Sequence, residues 1–357
     1  MTLSPVFRSP EAVRLLEEEG VWQRMEPAIR GQADAVMAVQ GDMEKLLDER
    51  YRTGPEPPPE PGEILEPGGL AFLQDYFFLI LFRSLFESLG VDPVRLRLYS
   101  ELDFCIKGTI TAADNIFDDQ GKSLLPLRAD TGERFLSILQ LMCFERLLKR
   151  ALDRGVAAGA LEESDTDAIQ RGLLDRMAAI GELEGSEEEG VEEVPEPEAM
   201  VERVHRVRGG ALFSLAFVAP LRLEEGEALR RMEEAEPAVA RLGTAFQIVD
   251  DLTDFEFDLG RGSHNLLVSD IRHHGTDHER SRLEAYRTGD ACPDSVVEAD
   301  FPESARRVLD RAYEEAQASF EDLARLGFWF PPALHREVVH AIVGLDGVAR
   351  IQSLTSA

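Results

Sequence analysis

The sequence is short of basic residues and of long apolar runs, and each shortage bears on a class of protein. Its 357 residues include 68 acidic and 38 basic side chains, which gives a net charge of −30. Nucleic-acid phosphates require a basic footprint, so this charge argues strongly against nucleic acid as a partner. No apolar run approaches the roughly 20 residues of a membrane-spanning helix, so we expect no membrane span.

Cysteine is also scarce. Cys105, Cys143 and Cys292 are far apart and match no zinc or disulfide spacing, so we expect reduced thiols. The N-terminus lacks the basic start and apolar core of a signal peptide, which predicts a cytoplasmic protein. The excess of acid has one further consequence. An anionic substrate of this protein would depend on metal ions for much of its charge neutralisation.

The sequence does show helical periodicity. Apolar residues make up a large share of the chain and recur at helical spacing, whereas no segment alternates like a strand. A Pro-rich loop at 54–69 and an acidic, mobile loop at 181–199 interrupt the pattern. We predict one all-α domain over residues 1–357. Its helices are predicted at 9–21, 27–51, 70–89, 92–119, 132–154, 161–180, 200–221, 227–257, 304–326 and 332–354.

Three aspartates follow an apolar run in the segment 243–270. Residues four apart share one helical face, so Asp250 and Asp254 project together with Asp251 beside them. No basic residue lies within one turn to balance them. A hard divalent cation such as Mg²⁺ would relieve the repulsion and leave room for phosphate oxygens. Taken alone, a solvated acidic face explains the cluster equally well.

A second acidic cluster lies far upstream, at Asp114, Asn115, Asp118 and Asp119. It ends another apolar helix, where the helix dipole makes uncompensated acids unfavourable. Two such clusters are harder to attribute to solvation than one. If their helices face each other across a bundle, the carboxylates would form a cage for several Mg²⁺ ions. The space between them would suit a diphosphate, with a central cavity below for a hydrocarbon tail.

The downstream segment resembles a known family. Its stretch FQIVDDLTD, from Phe246 to Asp254, matches FQxxDDxxD, the second aspartate-rich motif of the trans-isoprenyl diphosphate synthases (polyprenyl synthetases), at every defined position. VRGGALF is similar to the family's KTGALF segment, with Arg208 in place of Lys. GRGSHNL occupies the place of the family's GKxxxxDL segment, with Arg261 in place of Lys.

The resemblance implies the isoprenoid synthase fold, an allylic isoprenoid diphosphate as substrate and a homodimer. The enzyme would ionise this substrate, condense it with isopentenyl diphosphate and release pyrophosphate. Arg208, Arg261 and Lys122 would bind substrate, and Gln247 would lie near the reacting carbon. The implied catalytic residues are Asp114, Asp118, Asp250, Arg208 and Gln247. Three Mg²⁺ ions would be held by Asp114, Asn115, Asp118, Asp250, Asp251 and Asp254.

The sequence departs from the family where isopentenyl diphosphate should bind. The first motif has Asn115 in place of an acid, and only Lys122 and Arg128 follow it as bases. The early basic segment GKRxRP is replaced by GGLAFLQDYF, with no base before Arg83. These losses leave two alternatives open. One is a terpene cyclase or diphosphate lyase that ionises the substrate without isopentenyl diphosphate. The other is an inactive regulatory subunit of a heteromeric synthase.

Overall fold

The computed structural model describes residues 10–54, 67–117, 121–128, 132–187, 189–289, 296–340, 350–351 and 353–354. These residues are predominantly helical and contain no β-strand, only an isolated bridge between Arg52 and Leu127. The all-α prediction is confirmed. Within these ranges, no helix has the combined length and apolar character that crossing a membrane requires. Asp118, Asp119 and Cys292 lie outside the described residues.

The described helices succeed one another along the chain. In chain order they are α1 (Pro10–Glu18), α2 (Val21–Leu46), α3 (Pro67–Leu89), α4 (Pro93–Phe117), α5 (Glu133–Ala158), α6 (Glu163–Gly185), α7 (Pro197–Met200), a π-helix (Val201–Gly210), α8 (Ala211–Ser214), α9 (Val218–Leu223), α10 (Gly226–Thr253), α11 (Phe255–Arg261), α12 (Leu266–His274), α13 (Asp277–Thr288), α14 (Val297–Asp300), α15 (Pro302–Arg325) and α16 (His335–Val339). Short 3₁₀ turns lie at Glu49–Tyr51, Leu215–Phe217 and Pro332–Leu334.

The chain divides into two units. The first contains residues 20–173 and 215–233. Here α4 packs along α5, and both pack against α2, with α3 beside α2 and α4. Gly108 of α4 lies directly under the ring of Phe144, where a Cβ atom would clash. This close approach lets Phe104 contact Phe144 edge to face, with ring centroids 5.5 Å apart, in the middle of an apolar core.

The second unit contains the described residues within 10–19, 174–214 and 234–354. Its long helix α15 packs against α12 and α16, and the rings of Phe320 and His335 stack with centroids 4.4 Å apart. Local sequence signals set two of its helix starts. Asn265 caps α12 by accepting from the main-chain N–H groups of Leu267 and Val268, and Thr276 and Glu279 form a capping box at α13. The single-domain organisation over residues 1–357 stays a prediction.

Several sequence-based boundaries differ from the structure. The predicted helix at 200–221 is a succession of α, π and 3₁₀ turns rather than one α-helix. The predicted helix at 227–257 ends at Thr253, because the backbone of Asp254 leaves helical geometry at φ −100° and ψ 15°. Pro27, predicted to open the second helix, lies inside α2.

Candidate active site

The three aspartates at the end of α10 have different environments. Asp250 is half-buried and accepts a 3.4 Å hydrogen bond from Gln247 Nε2. Asp254 is exposed, and its main-chain N–H still donates to the carbonyl of Asp250 at 2.8 Å. Asp251 is 2% exposed. Asp250 and Asp254 are therefore the accessible carboxylates of this motif.

Asp251 points into the second unit and is held there by hydrogen bonds. Its Oδ2 lies 2.8 Å from His205 Nε2 and accepts from the main-chain N–H of Leu266 at 2.5 Å. Its carbonyl accepts a 2.6 Å bond from Asn265 Nδ2. Asp251 thus joins α10 to the π-helix and to the start of α12. Asp251, a predicted metal ligand, therefore has internal partners in the structure, and its metal role stays a prediction.

The π-helix lies against α10 because both carry glycine at their contact. A Cβ atom on Gly243 would lie 2.8 Å from the carbonyl carbon of Gly209 and 2.9 Å from Phe213 Cγ. A Cβ atom on Gly209 would lie 2.9 Å from Gln247 Cβ. Glycine at both positions therefore lets His205 and Arg208 approach the aspartate motif. In VRGGALF, Gly209 stands where the family's KTGALF segment has Thr.

We expect Gly243→Ala to lower the free energy of unfolding by about 1–3 kcal/mol, because the added methyl group meets backbone that cannot move aside cheaply. Chemical denaturation measures the effect. Gly41→Ala is the matched control, since nothing lies within 4 Å of a Cβ atom at this position in α2. Equal stability of the two variants would show that the helices do not approach so closely.

Arg208, the predicted diphosphate ligand, is 9% exposed and lies among carboxylates. Its Nη2 donates to Glu187 Oε1 at 2.8 Å, and its Nε lies 2.5 Å from Glu184 Oε1. Burial opposes the charge of Arg208, but Glu184, Glu187 and Asp251 outweigh it and raise the pKa of the guanidinium above its ordinary value. Arg208 is therefore a firmly charged cation in the electrostatic environment of the aspartate motif.

Glu187 belongs to the acidic segment 181–199 and connects that segment to Arg208. It is 4% exposed and, besides Arg208, it contacts His264 twice: Oε2 accepts from the main-chain N–H at 3.0 Å, and Oε1 lies 2.6 Å from Nδ1. Burial disfavours the carboxylate, yet the His264 bonds and the Arg208 charge lower the pKa of Glu187. The acidic segment therefore contains a buried, hydrogen-bonded carboxylate.

Two further described residues of the acidic segment 181–199 also form hydrogen bonds. Val191 N–H donates to the carbonyl of Gly262 at 2.8 Å, and Ser269 Oγ donates to the carbonyl of Pro195 at 2.6 Å. Helix α6 itself extends to Gly185. The predicted loop over 181–199 is helical at its two ends, in α6 and α7, and main-chain groups between them pair with the α11–α12 connection and with α12. Its mobility stays a prediction.

Asp258 adds a further carboxyl group to the cluster. It accepts a 2.8 Å hydrogen bond from Asn265 Nδ2. Burial, together with the nearby charges of Asp251 and Asp254, raises the pKa of Asp258 to about 8. Asp258 thus keeps its proton to a higher pH than an ordinary aspartate, which limits the concentration of negative charge beside the motif.

The first acidic motif lies in the first unit, at the end of α4. Asp114 is exposed, whereas Asn115 is 3% exposed. The Asn115 amide donates to the carbonyl of Lys122 at 2.7 Å and accepts from its N–H at 3.2 Å. Gln140 secures the same segment by accepting from Leu124 N–H at 2.8 Å. Asn115, predicted as a metal ligand, holds the 121–128 segment in place here.

Lys122 and Arg261, the other predicted substrate contacts, are both exposed. Lys122 belongs to the first unit, and its main chain is fixed by Asn115. Arg261 ends α11 in the second unit, with its guanidinium carbon 5.2 Å from the centre of the Phe257 ring. Their substrate roles stay predictions.

Lys107 is a basic residue that the sequence analysis did not single out. It lies on α4 seven residues before Asp114, so both project from nearly the same face. Its Nζ donates to the carbonyl of Asp75 and lies 5.0 Å from the centre of the Tyr76 ring. Burial lowers the pKa of Lys107 to about 8. The sequence signal for Lys107 was its position in an apolar helical segment, seven residues before Asp114.

This lysine predicts a pH dependence of stability. Folding lowers its pKa from 10.5 to about 8, so the unfolded chain binds more protons between these values and the free energy of unfolding rises with pH. Relative to Lys107→Met, the wild type should gain up to about 3 kcal/mol as the pH rises from roughly 7 to 10. Urea denaturation at both pH values tests this. Lys149→Met, which removes an exposed lysine of α5, is the control. If the wild type gained as much stability relative to Lys149→Met as relative to Lys107→Met, the burial of Lys107 would be contradicted.

Comparison with known proteins identifies the architecture. No model of a protein family matches the sequence, and no curated protein matches it. Solved structures do match. Decaprenyl diphosphate synthase from Rhodobacter capsulatus is 17% identical with a TM-score of 0.55, and the match covers 93% of this chain and 99% of that one. Geranylgeranyl pyrophosphate synthetase from Pyrococcus horikoshii Ot3 is 15% identical with a TM-score of 0.53, covering 91% and 97%.

A third match is geranylgeranyl pyrophosphate synthase from Lactobacillus brevis, 15% identical with a TM-score of 0.50, covering 90% of this chain and 95% of that one. The fold is that of the isoprenyl diphosphate synthases. The matches extend over nearly the whole length of both chains, and the resemblance found in FQIVDDLTD is therefore confirmed at the level of the fold.

Within this isoprenyl diphosphate synthase fold, the structure adds polar residues that sequence reasoning missed: His205, Glu184, Glu187, Asp258, His264 and Asn265. The partners of His205, Glu187 and His264 are distant in sequence, so no local pattern indicates these contacts, whereas Asp258 and Asn265 are only seven residues apart. Among the described residues, no three His, Cys, Asp or Glu side chains are grouped closely enough to hold a metal ion by themselves. Asp250 and Asp254 form a two-carboxylate face.

Proposed function

We propose that this protein is a divergent member of the trans-isoprenyl diphosphate synthase family. It would ionise an allylic isoprenoid diphosphate and condense the product with isopentenyl diphosphate, with release of pyrophosphate. The observation that carries the proposal is the FQIVDDLTD motif at the end of α10, with Asp250 and Asp254 accessible and Arg208 charged nearby. The shared fold supports the proposal, and a homodimer is proposed on the resemblance alone.

The donor set suits Mg²⁺ that binds together with its substrate. Mg²⁺ in proteins usually takes one or two carboxylates plus substrate phosphates rather than a cage made only of side chains. Asp250 and Asp254 at the end of α10 would be the ligands; Asp114 as a further ligand and three ions per site rest on the family resemblance alone. When bound, the metal would supply positive charge that stabilises the departing pyrophosphate. Asp251 and Asn115 already have internal partners.

The chain's own residues would bind and orient the substrate. Arg208 offers a planar guanidinium for diphosphate oxygens, and its raised pKa keeps it charged. Gln247 lies one turn before Asp250 on α10 and donates a hydrogen bond to it. This bond fixes the Gln247 amide beside the carboxylates. Phe213 and Phe246 stack with ring centroids 5.3 Å apart and would exclude water next to this face. Ionisation would break the allylic C–O bond, with the electron pair leaving on pyrophosphate.

Ionisation without condensation is the second candidate, and the environment of Arg83 favours it. Arg83 is the first base after the segment that replaces GKRxRP, and it is already used within the first unit. Its Nη1 donates to Ser100 Oγ at 2.7 Å, and its Nε lies 3.3 Å from Glu87 Oε1. Its side chain is therefore committed to internal contacts. A regulatory subunit has no comparable observation in its favour.

Turnover assays distinguish these functions. Purified protein is incubated with Mg²⁺ and geranyl, farnesyl or geranylgeranyl diphosphate, with and without isopentenyl diphosphate. Pyrophosphate release that requires isopentenyl diphosphate, with a chain longer by five carbons, supports condensation. Release without it, giving a hydrocarbon or alcohol, supports the cyclase or lyase. If no combination releases pyrophosphate, both enzymatic proposals fail.

A further inference from the structure

Glu187 is a buried carboxylate that joins three parts of the second unit. It lies just after α6, it binds Arg208 on the π-helix, and it binds His264 between α11 and α12. Each carboxylate oxygen is occupied: Oε1 by Arg208 and His264 Nδ1, and Oε2 by the His264 main chain. A buried acid with this many charge-assisted bonds fixes the geometry of all its donors.

The two glutamates beside Arg208 differ in kind. Glu187 has a side chain 4% exposed and makes a hydrogen bond of 2.8 Å to Nη2. The side chain of Glu184 is 42% exposed, and its contact with Nε lacks hydrogen-bond geometry. Glu187 is therefore the partner that orients the guanidinium, whereas Glu184 is a more accessible counter-charge.

The same carboxylate also sets the tautomer of His264. Since Glu187 is charged and acts as an acceptor, His264 Nδ1 carries the proton and donates it to Oε1. Among the described residues, His264 Nε2 has no hydrogen-bond partner. Glu187 consequently leaves Nε2 as the nitrogen that His264 can offer to a ligand, near an arginine fixed by the same carboxylate; only the imidazolium form, with a proton on Nε2 as well, donates a hydrogen bond from Nε2 to an anion.

We infer that Glu187 is the positioning residue of this site: it fixes Arg208 and His264 as a pair of groups that together receive a diphosphate. The inference rests on the proposed function for its ligand class. A diphosphate carries several charged oxygens, and a fixed pair of donors binds it better than two mobile ones because less freedom is lost on binding. In a chain so poor in bases, fixing the available ones compensates for their small number.

The test measures binding of inorganic pyrophosphate in the presence of Mg²⁺ by isothermal titration calorimetry. Glu187→Gln should weaken binding about 10-fold or more, because the neutral amide no longer orients the guanidinium. Glu187→Asp should restore part of the loss. Glu189→Gln is the matched control, since this exposed glutamate of the same segment undergoes the same charge change. Wild-type affinity in Glu187→Gln would overturn the inference.

A double-mutant cycle separates positioning from general structural damage. If Glu187 acts through its two partners, Glu187→Gln should cause no further loss in a chain that already carries Arg208→Ala and His264→Ala. An undiminished loss in that background would overturn the inference. If Glu187→Gln fails to fold, the Arg208→Ala and His264→Ala single variants are compared with their combination. If the losses in pyrophosphate binding free energy of the two single variants simply add in the combined variant, the inference that one carboxylate holds the two residues as a pair is contradicted.

Failure of this inference is distinguishable from failure of the proposed function. Pyrophosphate binding that depends on Glu187, in a protein that turns over no allylic diphosphate, supports the positioning role and contradicts the enzyme. Turnover with an unchanged KM for the allylic diphosphate in Glu187→Gln supports the enzyme and overturns the positioning role. A wild type that neither binds pyrophosphate nor turns over substrate overturns both.

Discussion

Replacing Asp250 with alanine should abolish pyrophosphate release, with kcat falling by about 10³-fold or more. Asp250 is an accessible carboxylate, and Gln247 donates to it. Its loss removes both a proposed Mg²⁺ ligand and the partner that fixes Gln247. A coupled assay for pyrophosphate, with the allylic diphosphate at saturation, measures the change. The free energy of unfolding should change by less than about 1 kcal/mol, because the side chain is not fully buried.

The matched control for this prediction is Glu234→Ala. Glu234 is an exposed acid on the same helix, so its loss changes the net charge equally without touching the motif. We expect wild-type turnover from this variant. Full activity in Asp250→Ala would contradict the assignment of the motif to the reaction, whatever the activity of Glu234→Ala.

Asp251→Ala should have its main effect on stability, with a loss of about 3 kcal/mol in the free energy of unfolding. The substitution leaves His205 Nε2 and the main-chain N–H of Leu266 without their acceptor in a buried environment. The two residues lie on the π-helix and α12, so both contacts of α10 are weakened together. Denaturant unfolding followed by circular dichroism measures the loss.

Comparison of the two aspartates makes this prediction sharp. Asp250 and Asp251 are neighbours in one motif, yet one substitution should affect turnover and the other folding. The control is Asp251→Asn, which keeps an acceptor for the Leu266 N–H and should recover part of the lost stability. A stable Asp251→Ala protein with weakened Mg²⁺-dependent pyrophosphate binding would contradict the internal role and restore Asp251 as a metal ligand.

The sequence predicted the helical class well because helical class depends on local periodicity. The apolar stripes of α4 and α5 recur at helical spacing, and the predicted segments 92–119 and 132–154 lie close to Pro93–Phe117 and Glu133–Ala158. The region 200–221 was predicted less well. Its apolar spacing is similar, but contact between Gly209 and Gly243 brings the backbone close to α10, and local periodicity carries no information on such an approach.

The candidate site divides in the same way. FQIVDDLTD identified Asp250, Asp251 and Asp254 together, because a motif records residue type and spacing. It could not separate them, since the direction of each carboxylate depends on where His205 and Leu266 lie in the folded chain. The acidic segment illustrates the same limit. Its composition predicted a mobile loop, whereas one of its glutamates, Glu187, is buried and forms an ion pair with Arg208.

By itself, the sequence determined the all-α class, the two acidic motifs and the shortage of basic residues, because these are properties of composition and spacing. Only the tertiary structure decided which acids are accessible and which are structural. That choice depends on hydrogen-bond partners distant in the chain, such as His205 for Asp251 and His264 for Glu187. Burial makes these partners necessary, since a carboxylate removed from water is stable only when its charge is matched.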